Sequence, residues 1–121
     1  PELISSTKLE FKPKENIEIS LLNKYIGDQF MSNTESDFSK LDSYGVTDLI
    51  IKYKFEKTSF FSEVSINLMI NNILNKEYVS NGYYYTYDDT WSDPNSTITV
   101  EGTGYYPQAK RNFLLGITFK F

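Results

Sequence analysis

Apolar and polar residues alternate with a period of two along most of this chain, most sharply from Phe113 to Phe121. Side chains of a strand point to its two faces in turn, so Phe113, Leu115, Ile117, Phe119 and Phe121 share one face. Leu114, Gly116, Thr118 and Lys120 lie between them. Four earlier segments alternate in the same way. Leu3, Ser5, Thr7, Leu9 and Phe11 oppose Ile4, Ser6, Lys8 and Glu10. From Ile17 to about Phe30, Ile17, Ile19, Leu21 and Tyr25 oppose Glu18, Ser20, Leu22 and Lys24. From Tyr44 to Glu56, Thr47, Leu49, Ile51, Tyr53 and Phe55 oppose Asp48, Ile50, Lys52 and Lys54. Val64, Ile66, Leu68 and Ile70 then interleave with Ser65, Asn67, Met69 and Asn71. The pattern predicts an all-β chain of about five antiparallel strands.

The connections add a second signal. Lys12-Pro13-Lys14-Glu15-Asn16 reads as a short turn, with Pro13 ending the first strand. Met31 to Ser43 is polar and reads as a longer loop, Lys57 to Ser62 as a short connection, and Val79 to about Lys110 as a long loop. Short and long connections therefore alternate, as periplasmic turns and extracellular loops do in outer-membrane barrels. A soluble sheet with one wet face shows the same residue alternation. The loop asymmetry and the final Phe121, an aromatic suited to an interfacial girdle, favour strands that face lipid. Strands of about 9–14 residues are long enough for a tilted crossing. Glu18, Lys24, Asp48, Lys52, Lys54, Asn67 and Asn71 on the other face suit a wet or plugged lumen. Membrane barrels begin at about eight strands, so the five are expected to belong to something larger. A start at Pro1-Glu2 is expected to be a cut.

Composition narrows the chemistry. The net charge of −4 over 121 residues makes nucleic acid a poor partner. Without cysteine or histidine there is no disulfide, no thiol chemistry, no zinc site of the usual kind and no Ser-His-Asp arrangement. No catalytic constellation stands out, and neither an enzyme nor a cofactor is expected. Aromatics make up 17% of residues, which suits strands with one apolar face. No run reaches the roughly 18–20 apolar residues of a membrane helix, and no signal-peptide pattern opens the chain.

Three local patterns converge on one family. Asn72-Ile73-Leu74-Asn75-Lys76-Glu77-Tyr78 follows the fourth strand, Tyr105-Tyr106-Pro107-Gln108-Ala109-Lys110-Arg111-Asn112-Phe113 leads into the last, and Phe121 ends it. Together they resemble the C-terminus of TonB-dependent outer-membrane receptors. Asn72 and Tyr78 match that family's first signature, with Ile73-Leu74 in place of its usual Leu-Phe. Tyr106, Pro107, Gln108, Arg111, Asn112 and Phe113 match the second. The wording looks most like siderophore and iron-chelate receptors of the Bacteroidetes type, with glycan importers of the SusC type as close relatives.

The resemblance implies a barrel of about 22 strands with a plugged lumen, of which this chain would be the last five or so. Residues 1–121 would be a partial barrel whose strand 113–121 is the membrane-insertion strand. The plug domain would be absent. The function implied is energised uptake of an iron-siderophore or similar large nutrient. The implied partners are the remaining barrel and plug, the TonB system through that plug, the barrel-assembly machinery and outer-membrane lipid. The C-terminus would be periplasmic and the long loops extracellular. The alternative from another class is a soluble β-sheet module for glycan binding or adhesion.

Within this frame, Phe113, Leu115, Ile117, Phe119 and Phe121 are read as the assembly signal and as lipid-facing side chains. Tyr83, Tyr84, Tyr85, Tyr87 and Trp91 are the candidates for ligand contact, because aromatic faces grip planar or ring-shaped ligands. A loop packed on itself is the plainer account of them. Arg111 reads as a rim cation at the interface, and Asn72 and Asn75 as turn residues. Asp88, Asp89 and Asp93 lack the glycine and distal glutamate of an EF-hand and read as a solvated acidic loop, with no metal expected.

Overall fold

The computed structural model describes residues 1–56 and 59–121. Its strands are β1 (Ile4–Lys14), β2 (Ile17–Ile26), β3 (Gln29–Phe30), β4 (Lys40–Leu41), β5 (Tyr44–Phe55), β6 (Glu63–Asn71), β7 (Val79–Asp89), β8 (Ile98–Pro107) and β9 (Asn112–Lys120). A 3-10 turn, Asp37–Ser39, precedes β4. Among the described residues there is no α-helix, and the resolved pairings are antiparallel, so the chain is all-β. The chain divides into two compact units. One comprises Pro1–Leu3, Ile26–Tyr44 and Tyr78–Gln108; the other comprises Ile4–Tyr25, Gly45–Glu77 and Ala109–Phe121.

The second unit carries a five-stranded sheet in the order β1-β2-β5-β6-β9. Its register turns five separate alternations into one two-sided surface. Across β5, β6 and β9 the aligned rows are Leu49–Ile70–Phe113, Ile51–Leu68–Leu115, Tyr53–Ile66–Ile117 and Phe55–Val64–Phe119. The intervening rows are Ile50–Met69–Leu114, Lys52–Asn67–Gly116 and Lys54–Ser65–Thr118. Neighbours on one face of paired strands touch, so each apolar row is a cross-strand contact. Asn23 on β2 donates to the Thr47 hydroxyl at 2.9 Å, which sets Ile17, Ile19, Leu21 and Tyr25 on the apolar side. Charged pairs gather on the opposite side. Glu63 meets Lys120 at 3.3 Å and Lys54 at 4.0 Å, and Lys12 of β1 meets Glu18 of β2 at 3.9 Å.

A sheet normally buries its apolar face against a second layer. This unit has none among the described residues. Among the described residues the buried apolar ones are Ile26, Leu41 and Tyr44, all in the first unit. Leu115 is 64% exposed and Ile117 53%.

In the first unit, β7 and β8 form a hairpin and β3 pairs with β4. Gln29 reaches the Ser80 carbonyl at 3.1 Å, and the ring of Tyr44 stacks on that of Tyr78 at 4.6 Å.

Three expectations need correction. Pro13 does not end the first strand, since β1 continues to Lys14 and the turn falls at Glu15–Asn16. Proline removes a ladder donor, but β1 lies at the edge of its sheet, where that loss is tolerated. The segment Val79–Lys110 is not a loop throughout but a hairpin of two long strands. The strand from Ile17 ends at Ile26 rather than Phe30, and the polar stretch after it holds the 3-10 turn and β4. Of the connection expected over Lys57–Ser62, Lys57 and Thr58 lie outside the described residues.

Candidate functional site

The hairpin sorts its side chains by register. Tyr83 faces Gly104, Tyr85 faces Gly102, Tyr87 faces Val100 and Asn81 faces Tyr106. Residues paired directly across a ladder share a face, so Tyr83, Tyr85, Tyr87 and Tyr106 form one row. Tyr83 and Tyr85 have ring centroids 6.2 Å apart at 22°, Tyr85 and Tyr87 are 6.4 Å apart at 16°, and Tyr83 and Tyr106 are 6.1 Å apart. All four rings are about half exposed. Gly102 and Gly104 make the row possible. A Cβ on either would collide with the Tyr85 or Tyr83 ring lying over it. Aromatic side chains covering strand glycines are a recognised way of repairing the packing that glycine lacks.

The other hairpin face carries Tyr84 opposite Thr103 and Thr86 opposite Glu101. It packs within its own unit. The Tyr84 hydroxyl donates to Glu101, and the Ser36 hydroxyl donates to the same carboxylate oxygen at 3.0 Å. The bond to Glu101 pushes the Tyr84 hydroxyl above its ordinary pKa, with burial adding to the rise. Ser36 also accepts from the Phe38 amide at 3.3 Å as N-cap of the 3-10 turn, so Glu101 ties the hairpin to that turn. The Met31 sulfur seats against Gly82.

The hairpin tip is built by aspartates. Asp89 accepts from the Trp91 amide at 2.9 Å and the Ser92 hydroxyl at 2.6 Å, and Asp93 accepts from the Asn95 amide at 2.9 Å. These are aspartate-led turns. Hydrogen bonds from Ser92 and the Trp91 amide hold Asp89 below its ordinary pKa, and those from Asn95 and Ser96 do the same for Asp93. Among the described residues no group of three acidic, His or Cys side chains is arranged to hold a metal.

The structure therefore divides the five aromatics singled out from sequence. Tyr83, Tyr85 and Tyr87 stand together, Tyr84 lies on the opposite face, and Trp91 is at the tip, 93% exposed. Tyr106 joins the row from β8. The sequence signal for it was the glycine alternation Gly102-Thr103-Gly104, which places a bare position opposite every second tyrosine once the register is known.

The remaining motif residues are structural in their contacts. Asn72 is 2% exposed and has a φ of 52°; Asn75 has a φ of 53°. Asparagine tolerates this left-handed region better than most residues. The Asn72 amide donates to Asp48 at 2.8 Å, while its side chain accepts from the Lys76 amide at 2.9 Å. Its Nδ2 donates to the carbonyls of Lys76 at 2.7 Å and Ala109 at 3.3 Å. Asn75 accepts from the Arg111 amide at 3.0 Å, and Asn112 accepts from Asn71 at 2.9 Å. Lys110 pairs with Glu77. Pro107 is the last residue of β8, opposite Val79, and the Gln108 amide beyond it still donates to the Tyr78 carbonyl at 3.0 Å.

Phe113, Leu115, Ile117 and Phe119 lie on the apolar face of β9, at the edge of the five-stranded sheet, and are exposed. Phe61 closes on Phe119 and Phe121 at 5.0 and 5.3 Å between centroids. Comparison with protein-family models, with curated proteins and with solved structures finds no match.

Proposed function

We propose that the chain is a wall segment of an outer-membrane β-barrel, of the TonB-dependent receptor type, that takes up an iron-chelate or similar large nutrient. The five-stranded sheet would form the wall, with strand-to-strand pairing continuing beyond β1 and β9 to other barrel strands. The tyrosine hairpin would be an extracellular, strand-bearing loop.

The observation that carries this reading is the segregation of β5, β6 and β9. Four aligned rows of large apolar residues occupy one face; the β9 members and Phe55 are exposed, the other β5 and β6 members half-buried, and none is fully buried. A soluble protein rarely leaves so continuous an apolar surface in water. Lipid would cover it, while Lys52, Lys54, Glu63, Ser65, Asn67 and Lys120 would face the lumen. The strands span 9–12 residues, close to the roughly 9–11 needed for a tilted crossing. The motif residues Asn72, Tyr78, Tyr106, Pro107, Arg111 and Asn112 add the family resemblance. Phe113, Leu115, Ile117, Phe119 and Phe121 would serve first in assembly and then against lipid.

The test is purification from membranes in detergent, with intact-mass analysis of whatever accompanies the chain. A partner bearing a plug and the missing strands supports the reading. A chain that is monodisperse in plain buffer overturns it and favours a soluble β-sheet module.

A further inference from the structure

The charge of the chain is divided between its two units. The unit that contains the hairpin holds Glu2, Asp28, Glu35, Asp37, Asp42, Asp88, Asp89, Asp93 and Glu101 against Lys40 alone, a side-chain net of −8. Lys40 is itself paired with Asp28 at 2.8 Å. The other unit has eleven basic and seven acidic residues, a net of +4. A field of one sign over a surface selects what approaches it. An anionic chelate or polyanion meets repulsion at the hairpin, and that unit has no unpaired lysine or arginine side chain to bind it.

The tyrosine row then decides what is bound. Tyr106, Tyr83, Tyr85 and Tyr87 repeat every 6.1–6.4 Å. Aromatic faces attract cations, and guanidinium groups stack on them in plane. A metal ion finds no cage here among the described residues. Alternate side chains of an extended peptide recur about every 6.6 Å, close to the spacing of the rings. The face bearing the row offers no lysine or arginine to repel such a chain; its aligned pairs run from Asn81–Tyr106 to Asp89–Ile98. We propose that this face of the hairpin docks an extended, arginine-rich peptide segment, with successive guanidinium groups stacked on successive tyrosines. The inference rests on the unit that contains the hairpin and holds whether or not the sheet is in a membrane.

The test uses the chain together with whatever partner accompanies it from membranes, in nanodiscs of zwitterionic lipid, or the chain in plain buffer if it proves soluble. Fluorescent peptides of alternating Arg and Ser, or of alternating Glu and Ser, are titrated by anisotropy, and a neutral oligosaccharide is tested by calorimetry. The expected result is binding of the Arg peptide only. Each ring removed should weaken it about two- to five-fold, so the double variant Tyr83→Leu/Tyr85→Leu should lose roughly ten-fold. Leucine keeps apolar cover over Gly102 and Gly104 while removing the π face. If the double variant misfolds by circular dichroism, Tyr87→Leu, which sits opposite Val100 rather than a glycine, gives the single-ring loss. Unchanged affinity in the folded leucine variant would overturn the proposal, because attraction would then come from net charge alone. Tighter binding of the oligosaccharide than of the Arg peptide would overturn it too, and would assign the row to a glycan.

Discussion

The ring of Tyr85 lies over Gly102, its partner across the β7–β8 ladder, so closely that a Cβ on the glycine has no room. Gly104 stands in the same relation to Tyr83. Gly116 on β9 is the counterexample, for nothing lies within 4 Å of the position its Cβ would take. Three strand glycines therefore have two different meanings. Gly102→Ala should swing the half-exposed Tyr85 ring off the strand, losing about 1 kcal/mol of ring packing along with its place in the row. Gly116→Ala should be neutral or stabilising by up to about 1 kcal/mol, since glycine weakens a strand. Near-ultraviolet circular dichroism of the tyrosines and thermal melts of both variants check this. Equal effects at the two sites would refute it.

Asn72 should be the most sensitive polar residue of the turn after β6. It is buried, holds a left-handed backbone and serves the Lys76 amide and the carbonyls of Lys76 and Ala109. Asn72→Ala would leave those groups unpaired and keep the strained φ, at a cost of about 2–4 kcal/mol. Asn72→Gly relieves the backbone strain and should cost less than alanine. Denaturant melts of the two variants give the order, and a glycine variant less stable than the alanine one would contradict it.

Acid should loosen the hairpin tip. Asp89 and Asp93 are held below their ordinary pKa by the amides and hydroxyls they accept from. A carboxylate with a depressed folded pKa contributes stability that is present above its unfolded pKa and is lost as pH falls through the folded one. The tip should thus be intact at neutral pH and loosen only below the ordinary aspartate value. Trp91, the sole tryptophan, reports this through the hydrogen bond its backbone amide donates to Asp89. Its amide resonance should titrate in that acid window, and a midpoint near neutrality would be inconsistent with the bonding described.

Much of the sheet was legible because period two runs through β5, β6 and β9, with Ile50, Met69 and Leu114 breaking it at one aligned row. Leu49, Ile51, Tyr53 and Phe55 were already grouped within their strand; only the pairing with Val64, Ile66, Leu68 and Ile70 needed the structure. Two features were hidden for physical reasons. Pro13 reads as a stop unless one knows that β1 is an edge. The hairpin was hidden because Tyr83-Tyr84-Tyr85 breaks the alternation and Gly102 and Gly104 look like loop residues. Their place in a strand depends on tyrosines some twenty residues away. The tyrosine row is thus a property of register, which local pattern does not contain.

The two sheet faces should respond oppositely to added charge. An arginine at Ile66, in the middle of the apolar rows, should destabilise the membrane-inserted barrel by about 2–4 kcal/mol. The same residue at Asn67, beside Lys52 and Gly116 on the other face, should cost far less. Unfolding in lipid vesicles measures both, and equal penalties would argue against the proposed orientation.

The most direct test of the membrane reading is where the two faces sit. The chain has no cysteine, so single cysteines at Ile66, Leu115, Asn67 and Gly116 can carry nitroxide labels without background. In native membranes the account predicts that labels at Ile66 and Leu115 are relaxed by oxygen dissolved in lipid, and labels at Asn67 and Gly116 by a water-soluble nickel chelate. If the chelate reaches Ile66 and Leu115 as readily as it reaches Asn67 and Gly116, the apolar face is not against lipid, and the barrel account is wrong.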